Sequence, residues 1–174
     1  MYRLGDVLIT RERIGEMVKC LAGRIKEDYA GKEILLVGVL KGAMIFLSDL
    51  CRAIDLPCVL DFIIVSSYGV DAQSSGVVLL RKDIDEDIAG KHVLVVEDII
   101  DTGITLNFLK GVFEARKPAS LKLCAAFDKY SRRVVDLTPD YVGMQIEDNF
   151  IVGYGLDYAG MYRNLPEVRI LHNV

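Results

Sequence analysis

The chain has 174 residues, of which 52% are hydrophobic and 26% charged, with only 4 Pro, a composition that belongs to a folded globular chain and not to a disordered one. A chain of this length fits one domain and buries roughly 70% of the surface its unfolded form would expose. The formal net charge of −4 argues against a broad electrostatic footprint for nucleic acid and favours a small charged ligand.

The opening residues MYRLGDVLITRER contain no long apolar core, and no apolar run approaches the ~18 residues needed to cross a bilayer, so a cytoplasmic protein is expected. Thr10 precedes Ile14, Met17, Val18, Leu21 and Ile25 at helical spacing, which predicts an amphipathic helix over 10–29. Next, the apolar run 34–39 reads as a buried strand, and 42–54 has helical periodicity after a tight Lys41-Gly42 turn. Strands are predicted over 58–67 and 76–82, separated by the polar stretch YGVDAQSS, which is too long for a tight hairpin and reads as a loop able to move.

A further strand over 92–100 leads into a helix over 101–117 that Pro118 closes, and a strand follows over 121–127. Short strands near 141–146 and 150–154 and a tail at 168–172 complete the chain. The alternation of strands and helices predicts an α/β fold, a mainly parallel central sheet flanked by helices. One domain over 1–174 is expected, with a core over about 10–140 and a small hood made from the N-terminal residues and about 141–174. Cys20, Cys51, Cys58 and Cys124 have no metal-binding or disulfide spacing and are expected to be reduced and mostly buried.

The chemistry concentrates where VLVV runs into EDIIDTGIT. Ligands of open α/β sheets bind beyond the carboxyl ends of the strands, and Glu97, Asp98 and Asp101 sit at such an end. Adjacent carboxylates there can accept hydrogen bonds from a vicinal diol or hold Mg²⁺ through water. Backbone N–H groups at the start of the following helix, with the Thr102 and Thr105 hydroxyls around Gly103 and Ile104, form a cradle for a phosphate. Neither a P-loop nor a G-x-G-x-x-G fingerprint occurs, so nucleoside triphosphate and dinucleotide readings lose ground.

The stretch VLVVEDIIDTGIT resembles the phosphoribosyl-pyrophosphate signature of type I phosphoribosyltransferases. LKGA (40–43), SSYG (66–69), DK (128–129) and FIVGYGLDYAGMYRNLP (150–166) look like further segments of the hypoxanthine-guanine phosphoribosyltransferases. The resemblance implies a Mg²⁺-dependent enzyme of purine salvage that joins a 6-oxopurine to the ribose of 5-phosphoribosyl-1-pyrophosphate, giving IMP or GMP and pyrophosphate. It implies small-molecule substrates, no nucleic-acid or membrane partner, and a homodimer or homotetramer.

By the same resemblance, Glu97 and Asp98 bind the ribose hydroxyls and the metal, and Asp101 is the base at purine N7. Residues 101–105 hold the 5′-phosphate, while the Lys41-Gly42 turn and Arg163 bind pyrophosphate. Asp157 is a second metal ligand on the purine side. Lys129 donates to the purine O6, Phe150 stacks on the ring, and Ile151 offers backbone groups to its edge. Ser67, Tyr68 and Gly69 begin a lid that excludes water. An ordinary Asp, with a pKa near ~3.9, is a weak base for the proton transfer assigned to Asp101. Ile104 departs from the pattern, standing where some members carry a lysine. His92 and His172 receive no role. Two other readings stay open: a nucleotide-sensing regulator that binds nucleic acid on this fold, and a transferase for another base, xanthine above all.

Overall fold

A computed structural model describes residues 3–67 and 78–173. The elements in chain order are β1 (Arg3–Ile9), α1 (Arg11–Asp28), β2 (Ile34–Leu40), α2 (Met44–Ile54), β3 (Cys58–Ser67), β4 (Val78–Lys82), β5 (His92–Ile100), α3 (Ile104–Glu114), β6 (Ser120–Asp128), β7 (Tyr141–Gln145), β8 (Ile151–Val152) and β9 (Val168–His172). A 3-10 turn, Tyr130–Arg132, lies between β6 and β7.

The main sheet has the order β4-β3-β2-β5-β6-β7, and only the β3–β4 pair is antiparallel. Both faces of its central strands are apolar, as a sheet covered on two sides requires. On β2, Ile34 and Leu36 join the core beneath α1 and α2, while Leu35 and Val37 join the core beneath α3. β5 divides in the same way, with Leu94 and Val96 on the first side and Val93 and Val95 on the second. The expected α/β architecture is therefore present.

Local chemistry accounts for the helix boundaries. Thr10 caps α1, its Oγ1 accepting from the Arg13 N–H at 3.4 Å. α3 opens at Gly103, whose φ of 83° lies in the left-handed region that glycine enters without steric penalty. That helix is shorter than the predicted 101–117, since residues 101–103 form the loop that precedes it.

Two differences from the sequence expectations stand out, the place of β7 and the burial of the cysteines. β7 belongs to the main sheet as its edge strand, with Tyr141 buried beside Cys124 of β6, and is not part of a hood. A separate antiparallel sheet of order β1-β9-β8 contains the remaining C-terminal strands and the N-terminal one. Among the cysteines only Cys124 is buried; Cys20 is exposed and Cys51 and Cys58 are intermediate, although all four are free. No helix among the described residues is long and apolar enough to cross a membrane.

Parallel pairing brings the carboxyl ends of β2, β5 and β6 to one edge of the sheet on adjacent strands. Lys41, Asp101 and Lys129, each the first residue beyond its strand, emerge there together. A buried ion pair braces this edge: Arg133 Nη2 donates to Asp128 Oδ1, and the two side chains are 7% and 3% exposed. The same guanidinium donates to the carbonyls of Leu137 at 2.7 Å and Asp101 at 3.4 Å. Removing one partner of such a pair strands a charge in the interior. Asp128→Ala is expected to destabilise the fold by about 3–5 kcal/mol in urea unfolding. A loss below about 1 kcal/mol would match an exposed pair and refute the bracing role.

Candidate active site

β5 carries its apolar run to Val96 and then places two carboxylates in the interior. Glu97 is 7% exposed and Asp98 is 8% exposed. Among the described residues neither forms an ion pair with Lys or Arg. Burial pushes the Glu97 carboxyl well above its ordinary range, and the adjacent Asp98 charge adds to the effect. Burial also raises Asp98, partly offset by hydrogen bonds from Glu97 and from the backbone, and by the charge of Arg163.

Glycine contacts hold Asp98 in place. A Cβ on Gly42 would lie 1.8 Å from Asp98 Oδ2, so only glycine lets the loop after β2 approach this carboxylate. On the other side of that loop, a Cβ on Gly155 would lie 2.2 Å from the Gly42 carbonyl, and Gly155 itself has a φ of 98°. The main sheet, the Lys41-Gly42 turn and the C-terminal region therefore meet backbone to backbone. The Leu40–Lys41 peptide bond in this turn is cis.

Two cavities open at the end of β5. The first, of ≈ 170 Å³, is lined by Glu97, Ile99, Ile100, Asp101, Thr102, Gly103, Thr105 and Leu106. It is the concavity between strand end and helix start, where N–H groups favour an anion. The second, of ≈ 240 Å³, is lined by Asp98, Ile99, Asp101, Lys129, Phe150, Ile151, Leu156 and Asp157. Asp101 and Ile99 border both. The four residues expected around a base, Lys129, Phe150, Ile151 and Asp157, thus share one cavity.

Within it, Phe150 is 42% exposed and meets Tyr158 edge-on, with centroids 5.6 Å apart, so one ring face is available for stacking. Ile151 is buried in β8. The Lys129 ammonium is held inward at 7% exposure and donates to Asp148 Oδ1 at 3.5 Å. Asp157 accepts from Arg163 Nη2 at 2.5 Å through Oδ1 and from the Gly160 N–H at 2.7 Å through Oδ2.

Other expected residues stand outside the lining of these two cavities. Lys41 is exposed and lines neither. Arg163 borders a different groove of ≈ 560 Å³ between α1 and α2, while its Nη1 donates to the Gly155 carbonyl at 2.6 Å. Ile104 opens α3 beside the first cavity without lining it. Ser67 ends β3, and Tyr68 and Gly69 lie outside the described residues. His92 stands at the opposite end of β5, bonded to Ser120 Oγ at 2.8 Å.

Sequence reasoning missed Leu156 and Ile99 as lining residues, and it missed Arg132, Arg133 and Asp148. The run DKYSRR offered a signal, since a polar segment directly after a buried strand must place its charges at the sheet edge. Arg133 additionally packs under the cradle: a Cβ on Gly103 would lie 2.7 Å from its Cδ.

The model of the phosphoribosyl transferase domain family matches residues 9–159. A Streptococcus pneumoniae protein named hypoxanthine-guanine phosphoribosyltransferase is 46% identical over 95% of this chain and 92% of its own. A Bacillus subtilis protein of the same name is 46% identical over 98% of this chain and 94% of its own. Among solved structures, a hypoxanthine-guanine phosphoribosyltransferase from Bacillus anthracis superposes with a TM-score of 0.93 at 48% identity, covering 99% of this chain and all of the other. On the extent of the domain match and on these identities, the chain belongs to the phosphoribosyl transferase family, within its hypoxanthine-guanine branch.

Proposed function

We propose that the chain is a purine-salvage enzyme that transfers the 5-phosphoribosyl group of 5-phosphoribosyl-1-pyrophosphate to hypoxanthine, and to guanine, giving IMP or GMP and pyrophosphate. The observation that carries this reading is the pair of adjoining cavities with Asp101 on their shared border. One has the chemistry of a phosphate cradle. The other offers an aromatic face, an inward ammonium and an acid.

In the transfer, purine N9 forms its bond to C1′ as the bond from C1′ to the pyrophosphate oxygen breaks. Pyrophosphate leaves with that electron pair, and the proton on N7 passes to Asp101. Charge therefore grows at three places, and stabilising it there is what accelerates the reaction. Glu97 and Asp98 take the ribose hydroxyls. Thr102, Gly103, Ile104 and Thr105 supply the donors around the 5′-phosphate, Thr102 and Thr105 through their hydroxyls as well as backbone N–H groups. The N–H groups of the Lys41-Gly42 turn, with Arg163, face the pyrophosphate. Lys129 donates to O6, a contact an adenine amino group could not accept.

The donor set suits Mg²⁺. No cluster of three or more His, Cys, Asp or Glu that could hold a metal occurs among the described residues. This ion does not need one, because it keeps several waters and uses one or two carboxylates together with substrate phosphates. Glu97 and Asp98, buried with no ion pair to Lys or Arg among the described residues, are the residues that would hold it, and Asp157 would contribute from the purine side, each of its oxygens keeping a further lone pair. When bound, the ion neutralises charge on the leaving pyrophosphate.

Free thiols, the acidic balance and the lack of a membrane-crossing helix among the described residues support a cytoplasmic setting.

Incubation with 5-phosphoribosyl-1-pyrophosphate, Mg²⁺ and each base in turn is expected to yield the nucleoside monophosphate from hypoxanthine and guanine. No product from any 6-oxopurine would shift the reading to a nucleotide-sensing regulator. Asp101→Asn is expected to lower kcat by about 10²–10⁴ while the donor's Kd changes little; equal losses in both would contradict its role as base. Glu97→Gln combined with Asp98→Asn is expected to abolish donor binding by calorimetry, and normal binding would overturn the diol assignment.

Burial gives the same pair a second signature. A raised carboxyl pKa means that the native state holds its proton longer than the unfolded chain. Stability is therefore fullest below the ordinary carboxylate range and is lost as pH rises through the raised values. In chelator, Glu97→Gln is expected to raise Tm more at pH 8 than at pH 5. A gain independent of pH would show that the carboxylate is not strained by burial.

A further inference from the structure

A row of four charged side chains runs past the base cavity, and two of them, Arg132 and Asp148, have no part in the function proposed above. Arg132 Nε donates to Asp101 Oδ1 at 2.8 Å, and its Nη1 donates to Asp148 Oδ2 at 3.2 Å. The remaining oxygen of Asp148 accepts from Lys129 Nζ at 3.5 Å. The order Asp101, Arg132, Asp148, Lys129 thus alternates in sign from one end to the other. Asp101 and Lys129 line the cavity; Arg132 and Asp148 stand behind them.

We propose that Arg132 and Asp148 are positioning residues, which fix the separation between the carboxylate that takes the base's proton and the ammonium that meets its exocyclic oxygen. The inference rests on the roles given above to Asp101 and Lys129. Three features support it. Arg132 engages one oxygen of Asp101, and among the described residues no protein group bonds the other, which stays available to substrate. This is the arrangement of a general base oriented by a third group. Second, the planar guanidinium fork can hold two carboxylates at a set angle, which an ammonium cannot do. Third, the spacing is built into the backbone: the 3-10 turn closes with Arg132 N–H donating to the Lys129 carbonyl at 2.9 Å, and Lys129 N–H donates to the Ile100 carbonyl at 2.9 Å, directly before Asp101.

The side chains of Arg132, Asp101 and Asp148 are 45%, 44% and 49% exposed. Ion pairs at that exposure contribute little to folding, so their consequence is expected in turnover and not in melting. A base seated over them removes water and strengthens the same contacts.

The test is steady-state kinetics on wild type, Arg132→Gln, Asp148→Asn, the double variant and Arg132→Lys, with melting measured alongside. Arg132→Gln is expected to lower kcat about tenfold, with KM for 5-phosphoribosyl-1-pyrophosphate and Tm unchanged. Asp148→Asn is expected to raise KM for hypoxanthine. The double variant should lose less than the product of the two single effects, since both break one frame. Arg132→Lys should recover only part of kcat. Unchanged kcat in Arg132→Gln, multiplicative losses in the double variant, or full function with lysine would overturn the proposal. If wild type itself forms no nucleotide from any 6-oxopurine, the underlying functional reading fails and takes the inference with it; if wild type turns over, those outcomes sink the positioning role alone.

Discussion

The burial of two neighbouring carboxylates at the end of a parallel strand is the constraint on which this molecule is organised. A charge taken out of water without a partner is costly, and here two acids are placed side by side with no ion pair to Lys or Arg among the described residues. The fold tolerates this because the rest of β5 is apolar on both faces and the helices on either side are packed against it. The destabilisation is confined to the one place where a ligand bearing hydroxyls or a cation would relieve it. Buried acids with raised pKa values in a cleft are a recurrent mark of a functional site.

Close backbone approach is the second requirement. Gly42 lies between Asp98 on one side and Gly155 on the other, and neither contact admits a Cβ. The loop after β2 belongs to the sheet, whereas Gly155 belongs to the C-terminal region, so two glycines far apart in sequence solve one problem of proximity. Tyr154 secures the same junction, its ring buried and its hydroxyl donating to Asp49 Oδ2 of α2 at 2.9 Å. Movement of the C-terminal region would therefore disturb Asp98 through the Gly42 carbonyl, by packing alone.

Much of this was legible in the sequence because its signals are local. The apolar run before Glu97 and the glycine and threonines after Asp101 sit within a few residues of one another, so strand, turn and helix could be read together. β1 was not legible as a strand: in RLGDVLI only Ile9 is buried, and the strand is defined by pairing with β9 at the far end of the chain. β7 was placed with the hood because its sequence carries no mark of its neighbour; the parallel register with β6 is a tertiary choice. The same holds for Arg133, whose partners Asp128, Leu137 and the Asp101 carbonyl converge only when β5 and β6 are adjacent. Cysteine burial failed for a simpler reason, since Cys20 falls on the solvent face of α1 while its apolar neighbours define the other.

The three acids near the end of β5 also divide by environment, and that division is what makes separate roles reasonable for residues of like chemistry. Glu97 and Asp98 are enclosed, where a bound diol or cation is felt strongly because little water competes. Asp101 lies beyond the last strand residue, on the border of two cavities and half exposed, with Arg132 against one oxygen. An acid that binds gains from enclosure; an acid that exchanges a proton with an arriving base must be reachable by it. Strand geometry supplies this difference at no extra length: Glu97 is still paired with Ala125 of β6 and Asp98 is covered by Gly42, whereas residue 101 lies beyond the end of the β6 ladder at Ile100.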